Sequence, residues 1–220
     1  MPETRSVNQS PAPVARSPIP PAVGATLVVG GWEQSDGVAQ APVLVSDRSA
    51  LAKVLVRGPD AVLAGALGTS FGRVARGQDR LVVGSGPDEW LVLGRPGTGG
   101  ELVDELNVLA HSITDNRVTV LDLTHGRALV RLKGGSARDL LRRLTALDLD
   151  DRFVPDGAAL RTSVARVVTD IVRDDLDDAP SYLLHCERSS GRYLQESLLQ
   201  AGANLGAAVG APAQGWPERT

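Results

Sequence analysis

Short runs of aliphatic and β-branched residues alternate along this chain with stretches where apolar positions recur every three or four residues. The first pattern predicts strands near 26–31, 43–46, 51–57, 80–85, 88–94, 117–123, 127–133, 161–173 and 181–187. The second predicts helices near 59–68, 98–111, 135–146 and 189–201. In the 135–146 segment Ser136 is placed to cap the first turn, and Ala137, Leu140, Leu141 and Leu144 form one face. Arg138, Arg142 and Arg143 then point to solvent. Tyr193, Leu194, Leu198 and Ala201 repeat that stripe in the last helix, which Gly202 is placed to end.

The same unit occurs twice, at 42–110 and 118–202. Each copy carries an apolar strand, a glycine and a small-residue helix start: LVRGPDAVLAGAL around Gly58, RLKGGSARDLLRRL around Gly134. Each ends on proline, aromatic strand, glycine-bearing turn and helix. Setting Trp90 on Tyr182 also sets Gly99 on Gly191, Leu102 on Leu194 and Leu106 on Leu198. A repeat that long implies one pseudo-symmetric domain, in the order β–β–α–β–β–α per half. Antiparallel strands with helices on one face give an α+β fold rather than a doubly wound one.

That domain is expected to span 23–205. Residues 1–22, rich in proline, serine and alanine, are expected to be disordered or a partner-binding arm. Residues 206–220 are expected to be a flexible tail whose large anchor is Trp216. With 220 residues and 42% apolar content the chain can bury a substantial core. A net charge of −3 and 3% aromatic residues give no reason to expect nucleic acid or an anionic membrane as partner. The single cysteine, Cys186, rules out an intramolecular disulfide, and the apolar runs are too short to span a bilayer. The N-terminus, broken by prolines, lacks the apolar stretch of a secretory signal. A cytoplasmic protein is expected.

Candidate chemistry is sparse. His111, His125 and His185 share no ligand spacing, so no metal-binding residue is assigned. His185 and Cys186 are neighbours on a strand and face opposite ways, one packed and one half-exposed. Asp122, Thr124 and His125 end a strand before Gly126, where a turn-forming role outweighs a functional one. VVGGW (28–32) and GRPGTGG (94–100) lack nucleotide-binding spacings and read as turns. Asp148, Asp150, Asp151 and Asp156 lie in a wet loop, DLDDRFVPDG, anchored through Phe153. The run 174–178 (DDLDD) reads as the solvated tip of a hairpin. No catalytic or cofactor-binding residue is assigned.

The order of motifs in the second copy resembles the gamma subunit of heterotetrameric sarcosine oxidase. The matching positions are Gly134, Ala137, Leu140 and Leu141; Asp148, Leu149, Phe153 and Gly157; Thr162; and Arg188, Ser189, Tyr193 and Leu194. RSPIP (16–20) and GPDEWLVL from Gly86 look similar too, so the resemblance covers about 16–202. It implies a pseudo-duplicated, intertwined ferredoxin-like fold related to the folate-binding domain of aminomethyltransferases. It also implies a noncatalytic subunit beside alpha, beta and delta subunits, in an assembly that oxidises sarcosine to glycine with O2 and releases H2O2. The methyl carbon would pass to tetrahydrofolate, giving the 5,10-methylene adduct, or leave as formaldehyde. FAD, FMN, NAD and tetrahydrofolate would sit in the partner subunits, with no cofactor in this chain. The Lys-Gly-Cys-Tyr-x-Gly-Gln-Glu signature of folate-dependent iron–sulfur repair proteins is absent. A free-standing folate-binding one-carbon protein, or a small subunit of a related N-methyl amino acid dehydrogenase, are the alternatives.

Overall fold

The computed structural model describes residues 13–19, 26–29, 31–38, 40–113, 117–211 and 216. Numbered along the chain, one sheet contains β6 (Val74–Arg76), β7 (Arg80–Gly86), β8 (Glu89–Gly94), β5 (Ala52–Arg57) and β9 (Thr119–Asp122), in that spatial order. The second runs β11 (Ala159–Val164), β12 (Val167–Arg173), β13 (Ser181–Glu187), β10 (Arg127–Lys133), β4 (Val43–Asp47) and β14 (Ala207–Val209). Helices α1 (Asp60–Leu67) and α2 (Gly99–Ile113) belong to the first half, α3 (Ala137–Arg142) and α4 (Gly191–Ala201) to the second. A small third sheet joins β1 (Ala15–Arg16), β3 (Trp32–Ser35) and β2 (Thr26–Val29).

The period-2 alternation of the strands sorts side chains into three cores. On β5, Ala52, Val54 and Val56 point to α1 and α2, where they meet Trp90, Leu63, Leu102 and Leu106. The matching layer of the second half holds Tyr182, Leu140, Leu141, Leu194 and Leu198. Trp90 and Tyr182 are thus equivalent anchors, each fully buried. A middle core fills the space between the sheets: Leu91 and Leu93 of the first sheet pack with Leu129, Val172 and Leu183 of the second. Each large aliphatic side chain so buried contributes about 1.5–3 kcal/mol.

The halves exchange their first strands. β4 opens the first repeat yet pairs with β10 of the second. β9 opens the second repeat and pairs with β5 of the first. The repeated glycine sits at each crossing. A Cβ on Gly134, whose φ is +139°, would lie 2.2 Å from the Pro42 carbonyl oxygen at the entry to β4. A Cβ on Gly58 would lie 2.8 Å from Val118, at the entry to β9. Only a residue without a side chain lets the swapped strand enter so closely.

Several sequence expectations need correction. The predicted strand at 161–173 is a hairpin: Val164 faces Val167 and the chain reverses at Ala165 and Arg166, with φ of +49° and +68°. Neither residue carries the glycine or asparagine signal of such a turn. The third helix is shorter than 135–146, and Ser136 makes no side-chain capping bond. Each half gains an extra strand, β6 or β11, so its order is β–β–α–β–β–β–α.

The expected flexible tail from 206 does not describe 207–209, which form β14 beside β4, nor Trp216, which is buried in the middle core. Residues 212–215 and 217–220 of that tail lie outside the described residues, as do 1–12 and 20–22 of the N-terminal arm. Within the arm, Ile19 enters the core beside α4, and Ser17 bonds to Asp47. Phe153 is exposed; Leu149 and Val154 anchor its loop instead. Among the described residues no helix is long and apolar enough to cross a membrane.

Candidate functional site

A cleft of about 350 Å³ lies between the two sheets, lined by residues of both. Its walls are Leu55 of β5, Leu91 of β8, Val168 of β12 and Leu123, which follows β9. Its floor carries Ser85, Glu89, Asp170 and His185, and Arg57, Arg127 and Arg161 stand toward its mouth. These polar residues occupy strand positions that alternate with the helix-facing core residues. A charge there is covered by the opposite sheet rather than by water.

The charges form one chain of bonds. Arg57 donates to Glu89 Oε2 from Nε at 2.8 Å and from Nη2 at 2.6 Å. Arg161 Nη2 reaches Glu89 Oε1 at 2.9 Å and Asp170 Oδ2 at 3.2 Å, while its Nε bonds Asp170 Oδ1. His185 Nδ1 lies 3.3 Å from Asp170 Oδ2. A carboxylate can only accept, so the proton sits on Nδ1. Burial pushes Glu89 toward its neutral form, but the bonds from Arg57 and Arg161 prevail and hold its pKa below the ordinary value. Asp170 follows the same logic: bonds from His185 and Arg161 outweigh burial. For His185 burial wins over Asp170, and its pKa falls, leaving a neutral ring.

An oriented Asp–His pair suggests general-base chemistry, yet among the described residues no nucleophile joins it. The Ser85 hydroxyl is directed to Glu89, 3.2 Å from Oε1, and not to His185. Cys186 faces the helix layer, where burial raises its thiol to about 11. The sequence expectation of opposite faces holds, but neither residue is half-exposed: His185 is 4% and Cys186 1% accessible, because the first sheet covers the face opposite the helices.

The remaining sequence candidates are structural. The Asp122 carboxylate accepts from the Thr124 amide at 2.7 Å, and Thr124 Oγ1 accepts from the Lys53 amide at 3.0 Å, which ties the turn to β5. His125 stacks on Trp32 at 4.7 Å, locking the small sheet to the main body. His111 is exposed on α2. Asp148, Asp150 and Asp151 face water, as expected, and pair with Arg142, Arg152 and Arg138. The run 174–178 is not all solvated. Asp174 is buried, 3.0 Å from Arg131 Nη2 and 3.1 Å from Arg76 Nε.

Sequence reading missed Lys53, Glu89, Arg131, Arg161 and Asp170. Charges inside otherwise apolar strands, at inward positions of a period-2 pattern, were the available signal. Lys53 is wholly buried between the sheets, and its Nζ donates to the carbonyls of Ser49 and Leu51, both at 2.7 Å. Burial lowers its pKa to about 7. Among the described residues no cluster of three or more His, Cys, Asp or Glu could hold a metal ion.

Comparison with known proteins decides the family. The model of the sarcosine oxidase gamma subunit family matches residues 57–204, more than half of the chain. The chain belongs to that family. The matched span runs from the last residue of β5 through α4, so it includes all four helices. Solved structures agree on the fold. The chain is similar to heterotetrameric sarcosine oxidase from Corynebacterium sp. U-96 in complex with pyrrole 2-carboxylate, at 23% identity and a TM-score of 0.64. That likeness covers 77% of this chain and 89% of the other. It is also similar to the glycine cleavage system aminomethyltransferase T from Bartonella henselae, at 15% identity and a TM-score of 0.66. There 85% of this chain matches 55% of that one. The fold is thus the α+β, intertwined duplication shared with the aminomethyltransferase folate-binding domain. No curated protein matches the chain.

Proposed function

We propose that this chain is the noncatalytic gamma subunit of a heterotetrameric sarcosine oxidase, assembled with alpha, beta and delta subunits in the cytoplasm. The complex converts sarcosine to glycine with O2, giving H2O2 and either 5,10-methylenetetrahydrofolate or formaldehyde. FAD, FMN, NAD and tetrahydrofolate belong to the partner subunits. The family match over residues 57–204 carries this reading. The internal chemistry supports it: the carboxylates, guanidiniums and hydroxyl of the cleft bind one another, and the thiol is buried and protonated. The chain's role is then to present surface. Val108 of α2, Tyr193 of α4, Phe71 and Phe153 are more than half exposed, apolar area that an assembly can cover.

Affinity purification of the tagged chain from its native host, followed by an absorption spectrum, tests the proposal. Co-eluting larger subunits with flavin bands and sarcosine-dependent H2O2 release are expected. A colourless preparation of this chain alone, turning over a methylated amine or folate derivative by itself, would overturn it.

A further inference from the structure

We propose that the free edge of β9 receives an extended segment of a partner subunit, which joins the five-stranded sheet as a further strand. The edges of the two large sheets differ in how they are guarded. β14 is bridged by Val38, whose amide donates to the Val209 carbonyl at 2.9 Å and whose carbonyl accepts from the Ala211 amide at 2.9 Å. β6 has three residues, and β11 carries Arg161 at its middle. Short edges and charged edges resist pairing with another chain. β9 lacks these defences: from Val118 to Leu121 it holds no charge and no proline, and its register with β5 runs without a bulge.

One bond fixes which backbone groups face outward. The Leu123 amide donates to the Lys53 carbonyl at 2.7 Å, so residues of the same parity, Thr119 and Leu121, turn their N–H and C=O toward β5. Val120 and Asp122 turn theirs to the open side, where no strand pairs with them among the described residues. Another extended backbone supplies donors and acceptors at that spacing. The side chains define the segment further. Leu121 pairs with Leu55 of the cleft wall, so it lies on the inter-sheet side, and it is 50% exposed. An aliphatic side chain opposite it extends the apolar layer of Leu55 and Leu123. Asp122 is exposed on the helix side, beside Val120. An antiparallel segment therefore presents a lysine or arginine opposite Asp122 and aliphatic residues opposite Leu121 and Val120. A second copy of this chain fits poorly: symmetric pairing centred on Val120 sets each Asp122 against Val118, and centring on Leu121 sets it against Val120. The inference rests on the subunit reading, because the segment comes from another chain.

Hydrogen exchange resolved to single amides, on the free chain and on the complex purified through a tag on this chain, tests the proposal. In the free chain Leu121 should exchange slowly and Val120 and Asp122 fast. In the complex Val120 and Asp122 should slow by about tenfold or more. Val120→Pro removes an N–H that β5 does not use, and Leu121→Lys puts a charge on the exposed side chain. Each should weaken co-purification of the flavin-bearing subunits about tenfold, and Leu121→Lys remains readable should Val120→Pro unfold. A complex in which Val120 and Asp122 exchange as in the free chain overturns the added strand and leaves the subunit reading standing; so does undiminished co-purification with Leu121→Lys. A chain that captures no flavin-bearing subunit overturns both. Protection of Val120 and Asp122 that grows with the concentration of free chain assigns the edge to a second copy and overturns the proposal.

Discussion

Replacing Asp174 by alanine puts the buried ion pair to a direct test, with a neighbour as the control. The Asp174 side chain is 4% accessible and Arg131, its partner at 3.0 Å, is 2% accessible. Removing the carboxylate takes the charged partner at 3.0 Å from a guanidinium buried between the sheets. Breaking a buried pair from one side costs about 3–5 kcal/mol. Arg131 keeps Ser181 Oγ at 2.8 Å and the Asp174 carbonyl at 3.3 Å, so the lower end, about 3 kcal/mol, is expected. Asp177, three residues on, pairs with Lys133 but is 55% accessible; Asp177→Ala should cost under about 0.5 kcal/mol. Replacing both partners, Arg131→Met with Asp174→Leu, should recover most of the loss, because no charge is then left unmatched. Urea unfolding of the full chain, followed by tryptophan fluorescence, compares the three variants with the parent. Equal effects of the Asp174 and Asp177 substitutions would refute the reasoning and restore a uniformly solvated tip.

Lys53 makes stability depend on pH. Its folded pKa of about 7 lies below the ordinary 10.5, so between those values the unfolded chain binds more protons and stability rises with pH. From pH 7 to 9 the parent should gain about 2 kcal/mol relative to Lys53→Met, and parallel stability–pH curves for the two would count against this. Gly134→Ala should destabilise by about 3 kcal/mol through the +139° φ and the contact with Pro42, whereas Gly135→Ala, with nothing within 4 Å, should be near neutral in the same unfolding assay. Trp216→Ala removes a middle-core side chain whose ring lies 5.8 Å from the Arg131 guanidinium, and should cost about 3 kcal/mol; a melting temperature equal to the parent's would show that the tail contributes nothing to the core.

The elements most legible in the sequence were those whose apolar pattern serves a single neighbour. α2 and α4 show their buried stripes, Leu102–Leu106 and Leu194–Leu198, at helical spacing, and both lie where the pattern put them. The β11–β12 hairpin was invisible because its turn uses Ala165 and Arg166, ordinary residues held at positive φ by the pairing around them. Strand β14 was unreadable for a related reason. Ala207–Val209 is too short and weakly apolar to declare itself, and becomes a strand because β4 offers a free edge.

The cleft shows the same division. Its residues lie on β5, β7, β8, β10, β11, β12 and β13; strand pairing makes Arg161, Asp170 and His185 neighbours, and only the stacking of the sheets adds Glu89. Local sequence determined the set of helices and most strands, the duplication, and the shortage of paired nucleophiles, because periodicity and residue type are properties of short segments. Tertiary structure decided the exchange of β4 and β9, the burial of Lys53 and Asp174, and the tie between Glu89 and Asp170. Strand partners and the cover over a strand's second face are contributed by segments far away in the chain, and no local pattern carries that information.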